Sequence, residues 1–441
     1  MVTIQPAIDA IRTIYVNYGR TVLDYFHIGF SNIFDVLLII TLLGSVLYFV
    51  ISLYVIFRVK EQKDHIVTDN SKLPTVTIQI PTYNELAALN CARRCLDFDY
   101  PSEKFNIIIG DDSNQKEISA KIDSFAKAHK QIRVTRRGKN IGFKPGNLNH
   151  MLKVTDTDYI VIFDSDFLPT SSFLRHIMSA FVHDPTLGGA QARWKVFNPR
   201  VNMVTAQGTG IVNTFHRIIL PFVQRISPTI NFCGSAEAVE VKTLKDLGGW
   251  TSGTLTEDID YTMRLVKAGK SIKYLPNLEC ECEVPQRAKD LFKQQMRWAY
   301  GVIKALTTHG PSLFFSRKIP LKVKNMIVIF SSGYLMTSLI FFMTIFGFLS
   351  VATHPPQPIQ WSLFIYETVR NVLLTCGLLA ASFAGAYIAK NNLKDFGKLM
   401  ISSLSIGLVV IYYINIGIYK SLTGQPMKWF MLKKQGNEQR L

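Results

Sequence analysis

Acidic residues recur in short groups that could hold a metal ion. Asp164 and Asp166 are separated by one serine and follow the apolar run 159–163, while Asp112 lies just after the run 105–110. Two carboxylates directly after a buried strand form a compact set of oxygen ligands, which suits Mg²⁺ or Mn²⁺. Such an ion can neutralise a phosphate-bearing leaving group. Each group also has a plain structural explanation, because aspartate commonly caps turns and helices.

Two further strings could supply a proton acceptor and a cation. A Thr-Glu-Asp triplet has its carboxylates at Glu257 and Asp258, which could serve as a general base, although the triplet is also an ordinary helix cap. The string Gln294-x-x-Arg297-Trp298 is more specific, since it is expected by chance in about one chain in a hundred of this length. Its alternative explanation is an amphipathic helix at a membrane surface that carries an arginine and a tryptophan.

Short β-branched runs alternate with helical stretches through the middle of the chain, which predicts βαβ units and a parallel sheet. The runs are 76–81, 105–110, 132–135 and 159–163, and the helical stretches include 118–128, 146–154 and 288–306. Ligands of such sheets bind beyond the carboxyl ends of the strands. Tyr83 and Glu85 follow the first run, so we expect them at the same edge as Asp112, Asp164 and Asp166.

The chain lacks the common phosphate-binding loops. Neither G-x-x-x-x-G-K-[ST] nor G-x-G-x-x-G occurs at these strand ends, which argues against a P-loop kinase and a dinucleotide-dependent oxidoreductase. Lys144, in the string Lys-Pro-Gly-Asn-Leu-Asn-His, could instead provide a cation for phosphate. The same Lys-Pro-Gly string is also a common turn that opens a helix.

The composition predicts an integral membrane protein. The 441 residues include 49 Lys+Arg and 32 Asp+Glu, for a net charge of +17, yet the mean hydropathy is positive. Four apolar segments are long enough to cross a bilayer: 33–57, 326–352, about 371–389, and 399–419. The six cysteines form no Cys-x-x-Cys pair and the histidines do not cluster, so neither a zinc site nor a disulfide framework is expected.

The basic residues beside these segments predict the orientation. Arg58, Lys60 and Lys63 follow the first segment and four further cations lie between Arg317 and Lys324, so the domain between them is expected in the cytosol. The predicted domains are 1–57, with an amphipathic helix and the first span, 58–323 in the cytosol, and 324–441, with the remaining spans and a basic tail. Three spans after the domain would place that basic tail outside, against the same rule. The alternative is a further membrane element within 361–375.

The charge predicts partners as well. No basic strip interleaved with aromatic residues occurs, so we expect no nucleic acid. The excess of lysine and arginine favours anionic lipid headgroups of the bilayer and a phosphate-bearing substrate.

Taken in order, Asp112, Asp164-x-Asp166, the triplet ending at Asp258 and Gln294-x-x-Arg297-Trp298 resemble the D, DxD, TED, QxxRW signature of processive membrane-bound family-2 glycosyltransferases, the synthases of cellulose, chitin, hyaluronan and mannan. The resemblance covers about 73–300. It implies an α/β GT-A (Rossmann-like) cytosolic domain inserted between transmembrane helices. It also implies an inverting, metal-dependent enzyme that polymerises and exports a β-linked polysaccharide at the cell membrane.

The resemblance also implies a role for each site residue. Asp258 would be the general base, with Glu257 beside it, and Trp298 would stack on the acceptor sugar of the growing glycan. Asp164 and Asp166 would hold Mg²⁺ or Mn²⁺. Donor binding would fall to seven residues: Tyr83, Glu85, Asp112, Lys144, Asp164, Gln294 and Arg297.

The sugar and the product length stay open at this point. The string 232–240 resembles cellulose synthases, whereas the string 191–194 and Glu283 resemble mannan and glucomannan synthases, so UDP-glucose, UDP-N-acetylglucosamine and GDP-mannose are all candidate donors. The alternative function is a non-processive membrane glycosyltransferase that adds one sugar to a lipid. No FxVTxK motif follows Trp298. The few spans suggest that a pore would need the segment 7–26, a helix predicted at 208–226, or a partner subunit or second copy.

Overall fold

The computed structural model describes residues 5–60, 64–355, 358 and 360–427. Lys63 and most of the basic tail, from Lys428 to Arg440, lie outside the described residues. The strands are β1 Val76–Thr82, β2 Phe105–Asp111, β3 Ile132–Thr135, β4 Tyr159–Ile162, β5 Gly189–Val196, β6 Glu237–Glu240 and β7 Ile272–Cys282. The α-helices are α1 Gln5–Ile14, α2 Arg20–Arg58, α3 Ala87–Leu96, α4 Lys116–Lys127, α5 Phe143–Leu152, α6 Phe173–His183, α7 Met203–Asn213, α8 Leu220–Ile226, α9 Val241–Asp246, α10 Glu257–Lys267, α11 Ala288–Phe314, α12 Leu321–Thr353, α13 Trp361–Thr375, α14 Gly377–Ile388 and α15 Leu393–Leu422.

The chain packs as two compact units. We call them the helical unit, which comprises Met1–Val50 and Gly333–Ala380, and the sheet unit, which comprises Ile51–Ser332 and Ala381–Leu441. The predicted domain boundaries at residues 57 and 323 refer to a membrane surface, so they stay predictions.

The sheet unit is built on the strands that the sequence predicts. In the described part of the chain, seven strands form one sheet in the order β3-β2-β1-β4-β6-β5-β7. β3, β2, β1 and β4 are parallel neighbours, whereas β6 is antiparallel to both β4 and β5. Ile78, Ile107 and Val161 on adjacent strands are fully buried. All seven residues of β1 are buried, so both faces of this strand are covered.

The topology gathers the strand ends at one edge. β1, β2 and β4 run in the same direction, so their carboxyl ends lie side by side. β6 runs the other way, with Glu237 opposite Ile162, so its beginning lies at that edge too. The residues that follow β1, β2 and β4 and the residues that precede β6 therefore lie at the same edge of the sheet.

Two helices differ from the sequence prediction. α11 continues to Phe314, beyond the predicted end at residue 306. Pro311 lies in the last turn of α11 and does not end the helix, since its carbonyl still accepts a hydrogen bond from the Phe315 N–H at 3.1 Å. The helix predicted at 208–226 begins earlier, at Met203, and consists of α7 and α8 joined by a π-helical turn, Thr214–Ile219.

In the residues that the structure describes, three helices are long and apolar enough to cross a membrane: α2, α12 and α15. α13 and α14 form a fourth candidate, bent by 59° at Cys376. The predicted span 371–389 lies across this bend, and the pair counts as a span only if its two helices are taken together. α13 occupies the segment 361–375, in which a further membrane element was the alternative prediction.

Candidate active site

A cavity of about 190 Å³ opens at the edge where the strand ends meet. All of the residues that the sequence analysis predicts for donor, metal, acceptor and catalysis line it, although they come from six separate stretches of chain. They are Tyr83, Glu85, Asp112, Lys144, Asp164, Asp166, Glu257, Asp258, Gln294, Arg297 and Trp298. Their individual roles stay predictions.

Asp112 lies at the end of β2, where its backbone N–H donates to the Thr82 carbonyl at 3.1 Å. Its side chain is 4% exposed and is bound by the guanidinium of Arg137, whose Nε donates at 3.0 Å. Arg137 also donates to the carbonyls of Ile141 and Phe143, at the start of α5. Arg137, which no sequence motif indicated, ties the Asp112 carboxylate to the start of α5, whose first turn carries Lys144.

The Asp164-Ser165-Asp166 triplet follows β4. The Asp164 backbone N–H donates to the Ser235 hydroxyl at 2.9 Å, and the Ser165 hydroxyl donates to Glu85 at 2.5 Å. Asp166 is 1% exposed and lies against the cavity. The loops after β1, β4 and before β6 are thus joined by hydrogen bonds around the two aspartates.

Lys144 connects the two acidic groups of the cavity. Its ammonium lies 2.7 Å from Asp164, 2.9 Å from Glu257 and 2.5 Å from the Gly234 carbonyl. Burial opposes the charge on this ammonium, but Asp164 and Glu257 outweigh it and raise the pKa of Lys144. The lysine is therefore a fixed positive charge between the predicted metal side and the predicted base side.

Asp258 lies in the first turn of α10 and is 8% exposed. Burial raises the pKa of Asp258 to about 7, and the neighbouring Glu257 carboxylate adds to the rise, while Lys144 opposes it. A carboxylate with a pKa near neutrality can accept a proton from a hydroxyl more readily than an ordinary aspartate.

The loop before β6 was found in the sequence as a string but given no role. The Gln191 side chain accepts from the Cys233 N–H at 2.9 Å, and Glu237 accepts from the Gly234 N–H at 2.9 Å. Trp194 donates from its indole to the Ser235 carbonyl at 3.0 Å. Burial, followed by the charge of Asp258, raises the pKa of Glu237 well above its ordinary range.

α11 brings the Gln-x-x-Arg-Trp string to the cavity. Arg297 donates to the Leu255 carbonyl at 3.5 Å, just before the Thr-Glu-Asp triplet. Gly301 packs so closely on Thr256 that a Cβ there would clash with the threonine side chain. His309, three turns beyond Arg297, bonds Asp260 of α10 at 2.8 Å. α10 and α11 are therefore joined at several points, which fixes Asp258 relative to the arginine and tryptophan.

The sequence model of the family described as "Glycosyltransferase like family 2" matches residues 74–301, just over half of the chain. The chain belongs to this family. The match covers the sheet from β1 to β7 together with the first part of α11, and so includes every predicted site residue.

One relative matches nearly the whole chain, and another matches about half of it. This glycosyltransferase is 26% identical over 436 residues to glucomannan 4-beta-mannosyltransferase 7 of Arabidopsis thaliana, covering 92% of the chain and 76% of the relative. It is 30% identical over 241 residues to probable glucomannan 4-beta-mannosyltransferase 9 of Oryza sativa subsp. japonica, covering 53% of the chain and 46% of that relative. The family and these relatives confirm the predicted hexosyltransferase of polysaccharide biosynthesis.

Among solved structures, a mannosyltransferase from Pyrobaculum calidifontis in complex with GDP-Man and Mn²⁺ has a TM-score of 0.60. The two share 18% identity, and the likeness covers 81% of this chain and 99% of that one. At this identity the likeness concerns the fold, and it confirms the predicted GT-A architecture.

The donor set of the cavity fits a divalent ion. Within the described residues, no three His, Cys, Asp or Glu side chains come together as a metal-holding group. The pair Asp164 and Asp166 is nevertheless suited to Mg²⁺ or Mn²⁺, because these ions usually take one or two protein carboxylates and complete their shell with phosphate oxygens and water.

Proposed function

We propose that this glycosyltransferase polymerises a β-linked, mannose-containing polysaccharide from a nucleotide sugar, with GDP-mannose as its first candidate donor. The observation that carries the proposal is the single cavity that unites a strongly basic lysine, a carboxylate pair and an aspartate with a pKa near 7. The names of both relatives and the ligand of the Pyrobaculum calidifontis enzyme favour mannose over the other sugars left open by the sequence.

The cavity divides the reaction between two sides. On the donor side, Asp112, Gln294, Lys144 and Arg297 would position the nucleotide and its diphosphate, with Tyr83 and Glu85 beside them. Asp164 and Asp166 would hold Mg²⁺ or Mn²⁺, which would neutralise charge on the departing diphosphate.

On the acceptor side, Asp258 would take the proton of the attacking hydroxyl, and Glu257 would hold Lys144 in place. Trp298 would stack on the acceptor sugar, since a planar indole matches the face of a pyranose. One base acting in one displacement inverts the anomeric carbon, so an α-linked donor gives a β-linked product.

The membrane segments complete the proposal. The sheet unit would face the cytosol, where nucleotide sugars are available, and the spanning helices would export the glycan across the cell membrane. Arg58, Lys60, Arg317 and Lys318 flank α2 and α12 on the side of the sheet unit and support this orientation. Within the described chain few helices can span, so a second copy or a partner subunit would be needed to enclose a pore.

A donor screen with purified protein tests the proposal. GDP-mannose, UDP-glucose and UDP-N-acetylglucosamine are supplied in turn with Mg²⁺ or Mn²⁺, and release of the nucleoside diphosphate is measured. The matched control is Asp258→Asn, which retains the cavity but not the base. We expect turnover with GDP-mannose and an insoluble or ladder-forming product that β-mannanase degrades. A product of one added sugar on a lipid would instead support the non-processive alternative.

A further inference from the structure

Helix α15 is apolar enough to cross a membrane, yet its first half is bound to the glycosyltransferase domain by polar contacts. Asp395, in its first turn, pairs with Arg200 at 2.9 Å. About two turns further on, the hydroxyls of Ser402 and Ser403 donate to the Gln207 side chain at 3.2 and 3.1 Å. These partners belong to the segment between β5 and the middle of α7, on the enzymatic domain itself.

The second half of α15 is bound to the same domain. The Tyr413 ring stacks on Phe292 of α11, with ring centres 5.1 Å apart and planes 14° apart. Gly417 lies so close to α11 that a Cβ there would clash with the carbonyl oxygen of Met296, the residue before Arg297 of the cavity. The backbones of α15 and α11 are therefore in contact near the last turns of α15.

These contacts indicate a helix that runs along the glycosyltransferase domain. α15 has 30 residues and is about 45 Å long. A helix that crosses a hydrocarbon core of about 30 Å carries its far end away from a domain in water. Asp395 near the start contacts Arg200, just before α7, and Gly417 near the end contacts Met296 of α11, so α15 runs along the glycosyltransferase domain instead of away from it.

The other face of α15 is apolar and exposed. Six large side chains on it, each more than half exposed, fall within an arc of about 80° at 3.6 residues per turn. They are Ile401, Leu404, Leu408, Tyr412, Tyr419 and Leu422. The buried residues, among them Leu399, Val410 and Ile414, lie on the opposite side of the helix. One stripe contacts protein and the other has the composition of a lipid-facing surface.

The charges at the two ends favour a lipid headgroup layer. Lys394 and Lys398 lie near the first turn and Lys420 near the last, while the one carboxylate in the helix, Asp395, is paired with Arg200. Cations at both ends of an apolar stripe complement anionic phosphate headgroups above the acyl chains.

We infer that α15 does not cross the membrane but lies in the leaflet next to the catalytic domain, with its apolar stripe among acyl chains and its lysines at lipid phosphates. The path of the chain agrees with this placement. Thr214, at the end of α7, bonds Ser382 at 2.9 Å, so the chain contacts the glycosyltransferase domain before α15 begins. The tail then stays on the side of the catalytic domain, which agrees with the basic residues that a crossing α15 would place outside.

Site-directed labelling in two separate preparations of sealed vesicles, right-side-out and inside-out, tests this topology. Lys394→Cys and Gln425→Cys mark the two ends of α15, and a membrane-impermeant maleimide reports which side each end faces. Lys127→Cys on α4 marks the catalytic side, and Gln360→Cys marks the far end of α12. We expect both ends of α15 to label together with Lys127→Cys. Either end labelling together with Gln360→Cys overturns the inference. The unmodified chain gives the background from its own cysteines.

A depth measurement tests the same inference without relying on accessibility. Leu408 is at the midpoint of α15, so a crossing helix would place it at the bilayer centre and a surface helix near the headgroups. A dye on Leu408→Cys in proteoliposomes is quenched by lipids that are spin-labelled either near the headgroup or near the acyl end. We expect a shallow-to-deep quenching ratio above one, whereas the matched control Leu335→Cys on α12 gives a ratio below one. A ratio below one at Leu408 overturns the inference.

Discussion

Replacing Asp258 by asparagine tests the proposed general base most directly. Asparagine keeps the size of a side chain that is 8% exposed but cannot accept the proton of the acceptor hydroxyl. Loss of a positioned general base lowers a rate by about 10² to 10⁴. We expect kcat to fall by this factor while the Kd for GDP, measured by calorimetry, changes by less than about twofold, because Asp112 and Arg297 are untouched.

The pH dependence of the transfer rate provides a second test of Asp258, through its pKa. Burial and then the charge of Glu257 raise the pKa of Asp258 to about 7, and only its deprotonated form acts as a base. The wild-type rate should therefore fall about tenfold per pH unit below pH 7 and level off above it. Glu257→Gln removes one cause of the shift, so the midpoint of its rate profile should move to lower pH.

The same pKa has a consequence for stability. Because the pKa of Asp258 is higher in the folded chain than its unfolded value of about 3.9, the stability that this group contributes is present below pH 4 and is lost as the pH rises through 7. A rise of the pKa from about 3.9 to about 7 corresponds to on the order of 4 kcal/mol in the free energy of unfolding. Asp258→Asn should therefore raise the Tm at pH 8 and leave it unchanged near pH 4.

Three results would refute this reasoning. Near-normal transfer by Asp258→Asn would move the base elsewhere, with Glu257 as the next candidate. Loss of GDP binding together with activity would make Asp258 part of the donor site or of the fold. A wild-type rate that is flat between pH 5 and 8 would contradict a pKa near neutrality.

Three further predictions concern the metal, the acceptor and a helix contact. Excess EDTA or Asp166→Asn should abolish transfer, and added Mn²⁺ should restore the EDTA-treated enzyme; full activity in chelator would contradict the metal assignment. Trp298→Ala should shorten the product on a gel while Trp298→Phe largely retains its length, and a normal product from the alanine variant would leave the indole without an acceptor role. Gly417→Ala should cost about 1–3 kcal/mol in stability, because the new methyl meets the Met296 carbonyl, whereas Gly397→Ala on the same helix has open space around it and should keep the wild-type Tm.

Much of the site could be predicted from the sequence because strand ends carry local signals. The run 105–110 contains three consecutive isoleucines, and the observed β2 ends at Asp111, one residue later. Parallel strands then place their following residues at one edge whatever their separation along the chain. Asp112 and Asp164 could therefore be assigned to one site without knowledge of side-chain contacts.

Other features depend on contacts that leave no local pattern. The bonds from Lys144 to Asp164 and Glu257 join residues from three separate segments, and the spacing of these residues along the sequence does not predict them. The raised pKa of Glu237 results from burial in an antiparallel strand that the sequence analysis did not predict. Likewise, α15 has the length and composition of a spanning helix, and only its tertiary contacts indicate otherwise.

The balance of charge in the cavity bears on how the donor arrives. Among the described side chains that line it, carboxyl groups outnumber cations, since Lys144 and Arg297 face Glu85, Asp112, Asp164, Asp166, Glu257, Asp258 and Glu283. A bare nucleotide sugar would approach this surface against electrostatic repulsion, whereas its chelate with a divalent ion carries less negative charge. If the proposed chemistry holds, initial velocity should follow the concentration of the chelate and not that of total nucleotide. The ion would then travel with each donor molecule and leave with each diphosphate, so its supply would enter the rate law as that of a co-substrate.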